Sequence, residues 1–284
     1  MIRFVWIGLI SLVLNLHNLH AQRIYATAFY GASYYKGDLQ ERSLYFFQSR
    51  SAFSFGFNVE VTSRIFIKGE FSTATLYASD RYNPKNRLRN LSFYSSVDEF
   101  SVVGEYNAFD LNEYAVTPFV YAGLGYLKFN PYEILPDGAR VYLSELDTEG
   151  QGFYQDRKKY NLNTWCAPLG GGLQWRVSKK LRLAAQIGFR ITGTDYIDDV
   201  STTYVDKDLL QQKRGANAVA YAYRGDLLTG GQPYPAAGTP RGNPDDKDMY
   251  VFAGGSIRYL LQAHGNRKER KVQKDRHHMA CPKL

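Results

Sequence analysis

Histidine is almost missing from the stretch where a functional domain would need it. The five histidines are His17, His20, His264, His277 and His278, so residues 21–263 contain none. Hydrolases and acyl transferases commonly use histidine as their general base, and this stretch cannot supply one. Paired carboxylates could act without histidine, but no spacing of acidic residues recommends that chemistry. We therefore expect no catalytic residues and no enzyme activity.

Cysteine is equally scarce. Cys166 and Cys281 are the only two in the chain, and they lie far apart in the sequence. An exported chain could join them, but two cysteines build no multi-bridge framework. A zinc site of histidine and cysteine is also excluded in the central stretch, where Cys166 stands alone. We expect no cofactor.

Long apolar runs are absent beyond the N-terminus. The run from Phe4 to Leu14 follows Arg3 and is too short to cross a bilayer as a helix. A basic residue, an apolar run and then small Ala21 form the order typical of a signal peptide. We expect residues 1–21 to be removed on export, leaving Gln22 first; a buried helix of a soluble protein is the alternative.

Aromatic residues and glycine, by contrast, are abundant. The 23 Tyr, 17 Phe and 25 Gly in 284 residues favour strands and turns over helices. Eight segments between residues 22 and 262 have strand character, at 24–37, 51–61, 65–77, 92–107, 117–129, 161–177, 181–194 and 248–262.

Short and long connections alternate between these segments. The connections at 62–64, 109–116 and 178–180 are short, whereas those at 38–50, 78–91, 130–160 and 195–247 are long. Outer-membrane barrels show this alternation, with short periplasmic turns and longer outer loops. The predicted fold is therefore all-β, a membrane-spanning antiparallel up-and-down β-barrel of about eight strands occupying residues 22–262, with both termini periplasmic. A soluble sandwich or lipocalin-like barrel is the rival, but its strands are usually shorter than these.

Alternation within strands predicts an apolar outer face and a polar lumen. In the seventh segment Leu183, Ile187 and Ile191 fall on one face, while Arg182 and Arg190 fall on the other. The fifth segment is apolar on both faces, so its pattern does not indicate which face is outward. Aromatic residues near the strand ends are expected to form belts at the membrane interfaces, among them Tyr34, Tyr35, Tyr77, Tyr94, Tyr106, Tyr126, Trp165 and Trp175.

The inward faces carry charges that segregate by sign along the chain. An eight-stranded barrel has room inside for side chains only, so these charges are expected to pair across the lumen and plug it rather than line a pore. The predicted network consists of Glu60, Glu70, Glu99 and Glu105 in early strands and Arg182, Arg190 and Arg258 in late ones.

Two acidic clusters lie in the last long connection. Asp195, Asp198 and Asp199 are the candidate calcium ligands, although they lack the glycine and glutamate positions of an EF-hand loop. The second cluster is Asp245, Asp246 and Asp248. Aspartates that cap turns or pair with nearby cations are the more ordinary interpretation, so no metal site is predicted.

The C-terminal tail, residues 263–284, is strongly basic. It holds seven Lys or Arg residues against two acidic ones, for a net charge of +5 within the +8 of the chain. An exported chain rarely meets nucleic acid, so a solvated, disordered tail is the ordinary interpretation. The functional alternatives are that the tail lies on anionic lipid headgroups or docks on an acidic patch of a periplasmic partner. We favour the partner contact, whose residues would be Arg267, Lys268, Arg270, Lys271, Lys274 and Arg276.

Several segments together resemble one protein family. They are Gly37-Asp38-Leu39, the run 117–125 (TPFVYAGLG), Phe129-Asn130-Pro131, the run 148–152 (TEGQG), the run 168–172 (PLGGG) and the run 194–202 (TDYIDDVST). In this order they resemble the PorG family, outer-membrane barrels of Bacteroidota associated with the type IX secretion system. The resemblance covers about residues 24–262 and does not include the basic tail.

The resemblance implies an eight-stranded barrel without enzyme activity that serves the secretion machine through protein contacts. Its implied partners are a periplasmic ring lipoprotein and associated secretion proteins, besides the lipid bilayer, and no nucleic acid. The function expected is that of a non-enzymatic scaffold in the cell outer membrane. The alternative is a small surface barrel whose long outer loops bind an external ligand or surface.

Overall fold

The centre of the fold is one closed sheet. The structure, a computed structural model, describes residues 23–40, 46–154 and 157–262. The predicted signal peptide and the basic tail lie outside the described residues, so the predictions made for them stay predictions.

Eight long antiparallel strands close into a barrel. Each strand pairs with its neighbour along the chain, and the first pairs with the last through a register that sets Gly31 opposite Gly254. The predicted closed eight-stranded barrel is thus confirmed. The barrel strands are β1 (Ile24–Lys36), β2 (Arg50–Glu60), β3 (Ile65–Ser79), β4 (Ser92–Asn107), β5 (Val116–Ile134), β7 (Asn163–Arg176), β8 (Leu181–Thr192) and β9 (Met249–Gln262).

The short turns all lie at one end of the barrel, together with the start of β1 and the end of β9. Side-chain hydroxyls close two of them. The Thr62 hydroxyl oxygen accepts from the N–H groups of Arg64 and Ile65, and the Ser178 hydroxyl oxygen accepts from those of Lys180 and Leu181. Threonine and serine favour tight turns for this reason.

The barrel wall has an apolar outer face. On β2 the outward residues Phe53, Phe55 and Phe57 are 44%, 52% and 56% exposed, and the residues between them point into the barrel. The structure also assigns the faces of β5, which its sequence left open. Phe119, Tyr121 and Leu127 point inward, whereas Val120, Leu124 and Tyr126 point outward.

The long connections are folded rather than open loops. We predicted a plain loop over residues 130–160, but β5 continues to Ile134 and pairs there with a short strand, β6 (Arg140–Tyr142). The last connection contains two helices, α1 (Lys207–Arg214) and α2 (Ala216–Ala222). Gly215 joins them with a φ of +87°, a conformation that glycine adopts without strain. Together the long connections form one lid on the barrel, here called the outer cap.

Two of the aromatic residues predicted to lie in the membrane-interface belts are buried instead. Tyr34 and Tyr35 are buried, whereas Tyr106, Tyr126, Trp165 and Trp175 are exposed on the outer wall as expected. Tyr35 points inward because it shares the face of Phe29 and Ser33 on β1. Among the described residues, no helix has the length and apolarity needed to cross a membrane.

Candidate functional site

The lumen holds the seven charges that the sequence placed there. Six of them are buried, and Glu60 is half-buried near the short-turn end. The structure brings six of the seven together as three pairs, each joining an early strand to a late one: Glu105 with Arg258, Glu99 with Arg190 and Glu60 with Arg182.

The pair of Arg258 and Glu105 has the best geometry. Arg258 Nη1 lies 2.6 Å from Glu105 Oε1, and Arg258 Nη2 lies 2.8 Å from Glu105 Oε2. This is the bidentate arrangement in which a guanidinium binds a carboxylate most strongly. Because both side chains are almost fully buried, neither charge could be left alone without a large desolvation cost.

The other two arginines share their charge between a carboxylate and an aromatic ring. Arg190 Nε lies 3.3 Å from Glu99 Oε2, and its guanidinium lies 4.1 Å from the ring centroid of Phe252. Arg182 Nη2 lies 3.7 Å from Glu60 Oε2, and its guanidinium lies 4.3 Å from the ring of Tyr25. The rings hold the guanidinium groups by cation–π attraction where the ion pairs are longer.

Glu70 does not pair with an arginine, contrary to prediction. Its Oε2 lies 3.1 Å from Nζ of Lys68, two residues earlier on the same inward face of β3. Glu70 thus pairs with a lysine of its own strand and not with an arginine on the other side of the lumen. Lys68 was missed in the sequence, although its alternation with Phe66 and Glu70 marks it as inward. With Lys68 included, the network has four carboxylates and four cations.

A second buried network forms the base of the outer cap. Arg241 Nη1 lies 2.9 Å from Glu149 Oε1 and also donates to the backbone carbonyl of Asp199. Glu149 in turn accepts hydrogen bonds from the backbone N–H groups of Ser201 and Thr202. Residues of two long connections are thereby held together, in a pairing that the sequence did not predict.

A further ion pair attaches the connection between β3 and β4. Arg89 donates through Nε and Nη2 to the two carboxylate oxygens of Asp80, each at 2.7 Å. Arg89 also donates through Nη1 to the backbone carbonyl of Arg241. Asp80 and Arg241 are both buried, so the cap is a packed unit rather than a set of independent loops.

Three of the segments that carry the family resemblance meet in this cap. Asp38 accepts from the backbone N–H of Asn243, Glu149 belongs to the run 148–152, and Asp199 belongs to the run 194–202. The Thr148 hydroxyl donates to Asp199 Oδ2 at 2.6 Å. Part of the resemblance thus comes from residues whose hydrogen bonds hold the cap together.

The candidate calcium ligands are buried in the same cap. Asp199 accepts from the hydroxyls of Thr148 and Tyr160, and Asp198 accepts from the backbone N–H of Val200. Among the residues that the structure describes, no group of three or more acidic, histidine or cysteine side chains is arranged to hold a metal ion. The partners of Asp198 and Asp199 are hydroxyl and amide groups of the protein itself and, for Asp199, the Arg241 guanidinium at 3.8 Å.

One hydroxyl is shared by two of these aspartates. Tyr35 Oη lies 2.6 Å from Asp198 Oδ2 and 2.6 Å from Asp248 Oδ1. A phenol carries one proton and can donate to only one of them, so the second contact needs a proton on a carboxyl. Gly37 makes this approach feasible, because a Cβ there would lie 2.0 Å from both Asp248 Oδ1 and Tyr35 Oη.

Burial shifts the protonation of these aspartates in the same direction. It raises the pKa of Asp198 and of Asp248 well above the usual range, and the neighbouring aspartate charges add to this effect. Burial also raises the pKa of Asp195 to about 7, and the Ser201 hydroxyl offsets this rise only in part. The cap therefore retains protons near neutral pH.

The cap also has an open, polar pocket on its surface. The pocket has a volume of about 290 Å³ and is lined by Lys36, Lys85, Lys247, Asp38, Asn86 and Asn243, among others. Three lysines face a space large enough for a small anion. The predicted tail contacts from Arg267 to Arg276 lie outside the described residues, so the structure does not place them near this or any other surface.

We predict that the outer cap loses stability as the pH rises. In an unfolded chain these aspartates would titrate near pH 4, whereas in the cap the pKa of Asp195 is raised to about 7 and the pKa values of Asp198 and Asp248 are raised well above their usual range. The folded cap then binds more protons in this interval, so its stability is complete below about pH 4 and is lost as the pH rises through about 7. Hydrogen exchange across residues 193–248, corrected for intrinsic rates, should show stronger protection at pH 5 than at pH 8.

The variant Asp248→Asn tests the cause of this dependence. Its amide can donate to Tyr35 at every pH while its oxygen still accepts from the N–H of Ile197, so the pH dependence should flatten. Asp246→Asn, an exposed change in the same connection, should leave it as in the wild type. Equal pH dependence in all three proteins would contradict the shared-proton interpretation.

We also predict that Arg258→Leu destabilises the barrel by about 3–5 kcal/mol, because Glu105 would stay buried without its cation. The double variant Arg258→Leu/Glu105→Leu removes both charges and should recover most of that loss. Urea unfolding in lipid vesicles measures the difference, with the exposed Lys128→Leu as the control. A double variant as unstable as the single one would show that the ion pair is not the cause.

The chain is similar to several solved structures of known proteins. Neisserial surface protein A is 9% identical, with a TM-score of 0.45, 84% of this chain covered and 97% of that chain. Ail of Yersinia pestis is 12% identical, with a TM-score of 0.37 and coverages of 84% and 99%. The outer membrane enzyme PagL is 13% identical, with a TM-score of 0.30 and coverages of 84% and 99%. Such distant likenesses carry no argument about activity.

The chain was also compared with curated proteins and with protein families. No curated protein matches the chain. A family model described as a domain of unknown function (DUF6089) matches residues 4–229. Since this match spans well over half of the sequence, the chain belongs to the DUF6089 family.

Proposed function

We propose that this protein is a non-enzymatic scaffold of the outer membrane that serves type IX secretion through protein contacts. The observation that carries the scaffold role is the filled lumen. Side chains paired as Glu105 with Arg258 and Glu99 with Arg190 occupy the interior, and an eight-stranded barrel has little interior space beyond its side chains. A barrel of this kind acts through its surfaces.

The membrane location is supported by the outer wall. Phenylalanine, valine, leucine and isoleucine side chains cover it, and the large apolar ones are exposed to the surroundings. Exposed apolar area on this scale is costly in water and favourable in hydrocarbon. The short turns and both barrel termini then face the periplasm, and the outer cap faces the exterior.

The secretion role rests on the resemblance to the PorG family and on where its segments lie. Three of them build the base of the outer cap, where Glu149 and Asp199 share Arg241. On the periplasmic side the barrel offers its turns and its C-terminal tail. We propose that the periplasmic ring lipoprotein and associated secretion proteins contact that side, the basic tail supplying an electrostatic part of the contact.

Deletion of the gene tests the role directly. We expect loss of secreted type IX cargo in the deletion strain and copurification of the ring proteins with the wild-type barrel. Truncation after Gln262 should leave insertion and heat stability unchanged while weakening copurification, more strongly at higher salt, because exposed charge contacts are screened. Normal secretion in the deletion strain would refute the role, and full ring retention by the truncated protein at all salt concentrations would refute the tail contact.

A second candidate function follows from the surface pocket of the cap. Its lysines favour a small anionic ligand from the exterior. Isothermal titration with inorganic phosphate and with glucuronate should detect binding that weakens at least tenfold in Lys36→Ala/Lys247→Ala, while Lys207→Ala on the exposed side of α1 has no effect. If neither anion binds at millimolar concentration, the pocket is not an anion site.

A further inference from the structure

The outer wall of the barrel is not uniformly convex. A groove of about 770 Å³ crosses it on β4, β5 and β7, with Ile65 of β3 at one side and Ile187 and Phe189 of β8 at the other. The accessible lining is almost entirely apolar. Ligand pockets are commonly of this size, so the groove is large enough to hold a hydrocarbon chain in a fixed place.

Small residues create the floor of the groove. Gly104 on β4 faces Ala122 on β5, and Gly171 on β7 faces Val120. A Cβ placed on Gly104 would have no neighbour closer than the Ala122 carbonyl oxygen at 3.9 Å. Space for a large side chain is therefore present and unused at Gly104.

The groove becomes deeper in the membrane from β3 to β8. Cross-strand pairs connect Ile65 to Tyr106, Tyr106 to Val120, Val120 to Gly171, and Gly171 to Ile187. Counted from the short-turn end, Ile65 is the first residue of its strand, Val120 the fifth and Ile187 the seventh. The groove thus starts at the edge of the barrel and rises toward the middle of the wall.

Ile65 and Tyr106 line the shallow end of the groove, and Arg64 is the residue next to Ile65 in the chain. Arg64 immediately precedes Ile65, and the Thr62 hydroxyl fixes the turn that carries it. Arg64 is exposed and is in no ion pair with the residues that the structure describes. Tyr106 lines the groove here and is 48% exposed, as is typical of a side chain at the level of lipid headgroups.

We propose that the groove binds one anionic diacyl phospholipid of the periplasmic leaflet. An acyl chain occupies the apolar floor, and the phosphate lies against Arg64. An apolar slot that begins beside an unpaired cation and deepens into the wall has the amphipathic order of such a lipid. This inference goes beyond the scaffold role and shares with it only the membrane location, so secretion phenotypes do not decide it.

Native mass spectrometry of the full-length protein tests the proposal. The protein is extracted from vesicles of phosphatidylethanolamine and phosphatidylglycerol in a 3:1 ratio. We expect one retained phosphatidylglycerol per barrel. Gly104→Leu should lower its retention at least fivefold by filling the floor. The matched control is Gly255→Leu, an exposed glycine of β9 on another part of the wall, where a Cβ would likewise have room, its nearest neighbour being the Ala184 carbonyl oxygen at 3.7 Å.

The headgroup contact is tested separately. Arg64→Ser should remove the preference for phosphatidylglycerol over phosphatidylethanolamine while leaving one lipid bound, whereas Lys179→Ser in another turn should change nothing. Heat stability in detergent establishes that each variant is folded. Equal retention by Gly104→Leu and Gly255→Leu, no lipid preference in the wild type, or a protein segment in place of lipid would each overturn the proposal.

Discussion

A carboxylate that leaves water for the inside of a closed barrel must find a cation, a hydrogen-bond donor or a proton. The lumen meets this demand with cations. Glu105 receives the bidentate guanidinium of Arg258, and Glu70 receives the ammonium of Lys68. Because each pair joins inward positions of the wall, the register of the strands and the pairing of the charges depend on each other.

The outer cap meets the same demand in a mixed way. Glu149 and Asp80 have arginine partners, whereas Asp198 and Asp248 share one tyrosine hydroxyl and need a proton. Lumen and cap thus obey one electrostatic rule with different chemistry. The consequence is that the lumen is held by fixed charges, while part of the cap is held by carboxyl groups whose pKa values lie well above their usual range.

The difference between lumen and cap limits which surfaces of the protein can contact a partner. Paired side chains occupy the lumen, which leaves the cap, the short turns and the outer wall as the described surfaces available for contacts. Three of the six segments that carry the family resemblance hold the cap together through hydrogen bonds, as Asp38 and Glu149 show. Similarity within such segments therefore reports a shared architecture more directly than a shared partner.

Much of the barrel could be read from the sequence, because strand alternation has a period of two and each residue of a regular strand has only two faces. That rule placed Arg258 and Glu105 inside correctly, and connection lengths indicated the closed up-and-down order. It could not orient β5, where both faces are apolar and only the closed wall decides that Phe119 is inward.

The cap was beyond such reasoning. Its ion pairs join residues as distant as Glu149 and Arg241, and no periodicity links residues of separate connections. The Glu70 partner was wrong for a related reason, since the sign of a charge does not reveal which of several inward cations lies nearest. By itself the sequence determined which residues face the lumen in strands with one apolar and one polar face, because that follows from local backbone geometry. Only the tertiary structure decided which face of β5 is inward and which charges meet, because both depend on distances between segments remote in the chain.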